Sequence, residues 1–155
     1  MRCKLLAYLL LAVIPWGANA ASPEEQIKLG VRFVVDNFGP QSGLANFGCN
    51  SESMAYLDSF INRQNAVIKK DAQTTERFVS LFGSFLGECI VFSYRGAWVV
   101  GDSGIHVEVR SGDLLNILQP FQKVARRIEF GEQDSLLVYY RDTLPGALGQ
   151  NAPAK

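Results

Sequence analysis

The chain has 155 residues, 15 Lys and Arg against 15 Asp and Glu, and 48% hydrophobic residues. Balanced charge excludes the basic excess with which proteins track nucleic acid or anionic lipid. The length suits one domain with one core, and 10 Phe, 5 Tyr and 2 Trp supply it.

Arg2 and Lys4 form a positive start, Leu5 to Ile14 a short apolar run, and Ala18-Asn19-Ala20 a small-x-small site before Ala21. This pattern predicts a secretory signal peptide over residues 1–20, with a run too short to span a bilayer. Cleavage near Ala20 and Ala21 then leaves residues 21–155, slightly acidic and without an integral membrane segment. The expected compartment is the periplasm or the outside of the cell. Two cysteines remain, Cys49 and Cys89. In an oxidising compartment such a pair is expected to form a disulfide. The competing reading is two buried thiols, because Cys89 follows an apolar helix.

Ser22-Pro23-Glu24-Glu25 opens a helix with a capping serine, proline at the first helical position and acids at the positive end of the dipole. Ile27, Val31, Val34, Val35 and Phe38 follow near helical spacing, and Gly39-Pro40 is expected to end it. Asn50 or Ser51 caps a second helix carrying Met54, Leu57 and Ile61; residues 62–70 fit either its extension or a polar loop. A third helix starts after Asp71, with Phe78, Leu81, Phe82, Phe85, Leu86 and Cys89 at i, i+3, i+4, i+7, i+8 and i+11. Val79, Gly83 and Gly87 form a second stripe, which predicts close approach of another backbone, such as the sheet.

Cys89 to Tyr94 is β-branched and aromatic and predicts a strand, with Arg95-Gly96 as its turn. Ala97 to Val100, then Ile105 to Val109 with alternating apolar residues, predict two more, and Leu114 to Gln119 has the character of a fourth. Pro120 opens a helix with Phe121, Val124, Ala125 and Ile128 inward and Lys123, Arg126 and Arg127 outward. Gly131 ends it, and a final helix runs through Leu136, Leu137 and Tyr140. The expected fold is α+β: N-terminal helices, a central antiparallel meander of three to four strands, and two C-terminal helices packed on the sheet. The domain is expected over residues 21–144, with a flexible tail over 145–155.

Catalytic constellations are scarce. A single histidine, His106, and no CxxC or HxxxH spacing argue against a metal site, and no cofactor is expected. Gly101-Asp102-Ser103-Gly104 matches the segment around the nucleophile of trypsin-like serine proteases. Those proteases, however, place histidine and aspartate well upstream, whereas His106 follows Ser103, so the segment reads as a turn. A small hydrolase would use Glu88 or Cys89 with His106. Cys89 at a helix C-terminal end lacks the dipole that lowers a thiol pKa. Glu88 lies in an otherwise apolar stretch. It reads either as a structural acid paired with a turn, Arg77 or Arg95, or as a functional acid raised by burial.

The segments FGSFLGECIVFSYRGAWV and PFQKVARRIEFGEQDSLLVYY carry a resemblance. Gly83, Phe85, Leu86, Gly87, Glu88, Gly96, Trp98, Pro120, Phe121, Lys123 and Val124 are similar to the pattern of small bacterial domains of the DUF3806 type, over about residues 76–140. The resemblance implies a fold and carries over no catalytic residue. The leading expectation is a non-catalytic binding protein of the cell envelope. Within that class it is an immunity or inhibitor protein that blocks a toxin or hydrolase by steric contact. The alternatives are the hydrolase above and a structural accessory of the envelope. The expected partner is another protein, met by Lys123, Arg126 and Arg127 or by Trp98 and Tyr94; the oligomeric state is open.

Overall fold

A computed structural model describes residues 21–102 and 104–149. The expected signal peptide and Ser103 lie outside the described residues. The fold is α+β, with elements in the order α1 Pro23–Ser42, α2 Ser51–Ile68, α3 Ala72–Tyr94, β1 Ala97–Gly101, β2 Gly104–Ser111, β3 Leu114–Leu118 and α4 Pro120–Phe130. A 3₁₀ turn at Gly131–Asp134 leads into α5 Leu136–Val138, a π turn at Tyr139–Thr143 and α6 Leu144–Leu148.

Helix α1 begins with the expected capping box: the Ser22 hydroxyl accepts from the Glu25 amide, and the Glu25 carboxylate accepts from the Ser22 amide. It runs through Pro40 to Gly43, whose φ of 69° forms a left-handed cap. The expectation that Gly39-Pro40 stops it was one turn short. In the last turn, proline removes one intrahelical bond while its fixed φ remains helical. Helix α2 takes in most of the stretch that fitted either helix or loop, ending at Ile68.

The larger correction is at Cys89–Tyr94, which is helix and not strand. Buried Phe82, Phe85, Leu86, Cys89, Ile90 and Tyr94 form one continuous stripe down α3. Burying that stripe outweighs the β propensity of the individual residues. Arg95, with φ 54°, ends the helix in the left-handed region, and its amide donates to the Val91 carbonyl. Gly96 then slips past β2, where a Cβ would sit 2.9 Å from the Glu108 carbonyl oxygen. Among the described residues the meander consequently has three strands, all antiparallel, in the order β1-β2-β3.

Helix α3 is the axis of the molecule, packed mainly between α1 and α4, with further contacts to α2, β1 and β2. The glycine stripe predicted on it is a contact surface. A Cβ on Gly83 would run into the ring of Phe121, and one on Gly87 into the indole of Trp98, with Pro120 Cγ 3.0 Å away. The neighbour is therefore chiefly the start of α4 together with a side chain from β1. Phe38, Phe60, Phe78 and Phe82 pack edge-on and tilted between α1, α2 and α3. The expected disulfide joins Cys49 to Cys89, tying the loop before α2 to α3.

The C-terminal stretch is anchored further than the expected boundary at residue 144. Leu144, Pro145 and Leu148 are buried in α6, and the Ser111 hydroxyl donates to the Leu148 carbonyl. The part of the expected tail over residues 150–155 lies outside the described residues.

Candidate functional site

The basic stripe on α4 does not face solvent as a unit. Arg127 is 1% exposed. Its Nε donates to Asp58 Oδ1 at 2.6 Å, and its Nη2 donates to Asn62 Oδ1 at 2.7 Å and to the Asp58 carbonyl at 3.0 Å. Asp58 in turn accepts from the amides of Leu136 and Leu137 at 2.9 and 3.0 Å, and from the Ser135 hydroxyl, which itself caps α5. Arg127 is thus a structural clamp that joins α2, α4 and α5, and the expectation that it faces outward is corrected. Helix periodicity places position 127 beside the buried Val124 and Ile128, so an arginine there has to be paired internally.

Arg126 reaches the surface with its side chain 55% exposed, whereas the Lys123 side chain is only 16% exposed, so the expectation that Lys123 faces outward holds only in part; both share Asp134. Lys123 Nζ lies 3.1 Å from Asp134 Oδ1, and Arg126 binds both carboxylate oxygens at 3.1 Å. The Arg126 hydrogen bonds, followed by those of Lys123, hold the Asp134 carboxyl below its ordinary pKa. Two cations against one carboxylate leave an excess positive charge. Arg126 also lies over the Phe130 ring, and Lys123 over the Tyr139 ring at 5.1 Å. Burial pushes Tyr139 up to about 12.

Of the two aromatic residues expected to meet a partner, Tyr94 is buried, and its hydroxyl donates to the Tyr140 carbonyl. That removes it from the surface. Its pKa is pushed up to about 12, by burial first and then by Tyr140 and Tyr139. Trp98 is half-buried; its indole N–H donates to Glu88 Oε2 at 3.2 Å, and its ring packs on Phe121. Glu88 therefore has a structural partner, Trp98, in place of the expected Arg77 or Arg95. It fastens β1 to α3 across the gap that Gly87 leaves open.

Cys89 is held in the disulfide and offers no thiol, which removes the Cys89–His106 pairing. His106 is 6% exposed, with Nδ1 3.3 Å from the Gly104 carbonyl and Nε2 3.5 Å from Glu108 Oε1. Glu88 and His106 thus have separate partners. Gly101 and Gly104 pair across the β1–β2 hairpin, the turn position expected for the protease-like tetrapeptide. Among the described residues, no group of three or more His, Cys, Asp or Glu is suited to a metal ion.

What remains open is β3. It reads Leu-Leu-Asn-Ile-Leu and, among the described residues, is a sheet edge, hydrogen-bonded to β2 on one side only. Leu115 and Ile117 pair with Arg110 and Glu108 and share the face of the sheet turned away from α3 and α4. Ile117 is 57% exposed and Leu114, at the hairpin end, 71%. An uncharged, apolar edge strand is a template for strand addition, and it lacks the lysines and prolines that usually blunt such edges. Its C-terminal end borders a groove of about 310 Å³ whose lining includes Ile117, Lys123, Arg126 and Tyr139. Sequence reasoning found the strand but not its position at the edge, because edge status depends on which strands pair.

Comparison of the chain with protein-family models, with curated proteins and with solved structures returns no match.

Proposed function

We propose that this chain acts outside the cytoplasm as a non-catalytic binding protein, an immunity or inhibitor protein that occupies a cell-envelope toxin or hydrolase. The observation that carries the reading is the apolar edge of β3 running into the Lys123 and Arg126 groove. The fitting partner segment is extended: it adds a strand to β3, sets apolar side chains on Leu115 and Ile117, and brings a carboxylate to the excess charge beside Asp134. Main-chain hydrogen bonds supply affinity in this mode, and alternate side chains supply specificity. The Cys49–Cys89 disulfide supports a compartment beyond the reducing cytoplasm, in keeping with the signal-like N-terminal sequence.

The test places a photo-cross-linking residue at Ile117 in the secreted chain and, as a control, at Val67, an exposed position on α2. The expected result is one envelope protein captured through Ile117 and not through Val67, with its hydrolytic activity falling on stoichiometric addition of this chain. Equal capture at both positions, or a captured enzyme whose activity is unaffected, would count against the reading.

A further inference from the structure

A second cleft, of about 370 Å³, opens where the start of α1, the middle of α3, the beginning of β2 and the start of α4 converge. That volume falls in the range of about 300–1,000 Å³ typical of small-molecule sites. Its polar lining is Gln26, Ser80, Ser84, Gln119 and Gln122, and among the described residues none of its lining side chains is charged. Three amides and two hydroxyls can each donate and accept hydrogen bonds, with Gln26 Nε2 already donating to the Ala21 carbonyl at 2.8 Å. A charged ligand would be desolvated there without a counter-charge. Ser84 is the telling member: it lines the cleft although it is only 2% exposed.

The apolar wall comes from Phe121, Ile27 and Ile105. Phe121 is wedged against Gly83 and packs, tilted, against Trp98, so its ring is held in place before any ligand arrives. Helix α4 adds two further donors. Pro120 stands at its first position and Gln119 makes no side-chain cap. The amides of Phe121 and Gln122 therefore have no acceptor within the helix. A peptide read through its main chain finds no strand edge here, because the lining is helical apart from Ile105 on β2, the central strand, and the cap residue Gln119.

We propose that this cleft binds a short uncharged saccharide, with acetamido sugars preferred. Ring hydroxyls meet the Gln and Ser side chains, the C–H face lies on Phe121, and an acetamido carbonyl accepts from the α4 amides. The proposal does not rest on the β3 reading, although the cleft shares Gln119 and Gln122 with the β3 groove.

The experiment is an NMR titration of the labelled, disulfide-bonded chain with N,N′-diacetylchitobiose and with cellobiose. Expected are amide shifts at Ser84, Phe121 and Gln122 in the millimolar range or below, with chitobiose several-fold tighter. Ser80→Trp, at an exposed position that lines this cleft and not the β3 groove, weakens binding by about tenfold or more. Gln26→Ala weakens it by less, and both variants keep cross-linking through Ile117. The absence of shifts with either sugar, or shifts that persist in Ser80→Trp, would overturn the site. Equal binding of the two sugars would overturn the role given to the α4 amides.

Discussion

Arg127 and Asp58 show how a charged residue on a helix can belong to the core. The guanidinium is buried, and its carboxylate partner also caps α5. Removing one member of a buried pair leaves the other uncompensated, which typically costs about 3–5 kcal/mol. Arg127→Ala is accordingly expected to lower the urea midpoint strongly, whereas Arg126→Ala, with its side chain 55% exposed, should change it little. Asp134 gives a pH signature. Arg126 and Lys123 lower its folded pKa below the ordinary 3.8, so its contribution is present above that value and is lost as pH falls through the lowered one. Wild type is expected to be more stable than Asp134→Asn at neutral pH, with the two converging on acidification; denaturation across pH checks this. At the alkaline end the sign reverses. Tyr94 and Tyr139 are raised from 10 to about 12, so their contribution is complete below pH 10 and fades towards 12.

Helix α3 carries the fold because its two stripes do different work. The Phe and Leu stripe fills the core, and the Gly stripe admits the start of α4 and the Trp98 indole. Gly83→Ala and Gly87→Ala would improve helix propensity by about 1 kcal/mol each in isolation. In the protein both are expected to destabilise, by about 1–3 kcal/mol, because Phe121 and Trp98 must move. Thermal denaturation of the two variants reads the sign directly. The disulfide fixes this helix to the loop before α2 across a sequence separation of 40. In the chain-entropy model a closure of that length contributes about 4 kcal/mol, and Cys49→Ala with Cys89→Ala should lose a stability of that order.

At the scale of the whole molecule, α3 and α4 pack on one face of a small sheet, and among the described residues no further strand pairs with the apolar edge at β3. The proposed contact at β3 can be tested apart from folding. Ile117→Lys puts a charge on an exposed edge, where strand addition is sensitive and the core is not. Its stability is expected to stay within about 0.5 kcal/mol of wild type. Affinity for the cross-linked partner should fall at least about tenfold, as read by titration of the purified pair.

Local chemistry determined much of this protein. The capping box at Ser22, the α3 stripe, the hairpin turn at Gly101 and the pairing of two cysteines were all legible, because each depends on neighbours in sequence or on a count of residues. The helical state of Cys89 to Tyr94 was not legible: the predicted stripe ended at Cys89, the β-branched and aromatic residues beyond it argued for strand, and burial of Cys89, Ile90 and Tyr94 in the core decided for helix. Which charges face water, which strand lies at the edge and which amides line a common cleft could not be read from the chain. Arg127 and Arg126 are adjacent and chemically identical, and a turn of about 100° about the helix axis sends one to Asp58 in the interior and the other to the surface. That rotation is set by how α4 seats on Gly83 and Gly87, a contact between segments far apart in sequence, and so only the tertiary structure could settle it.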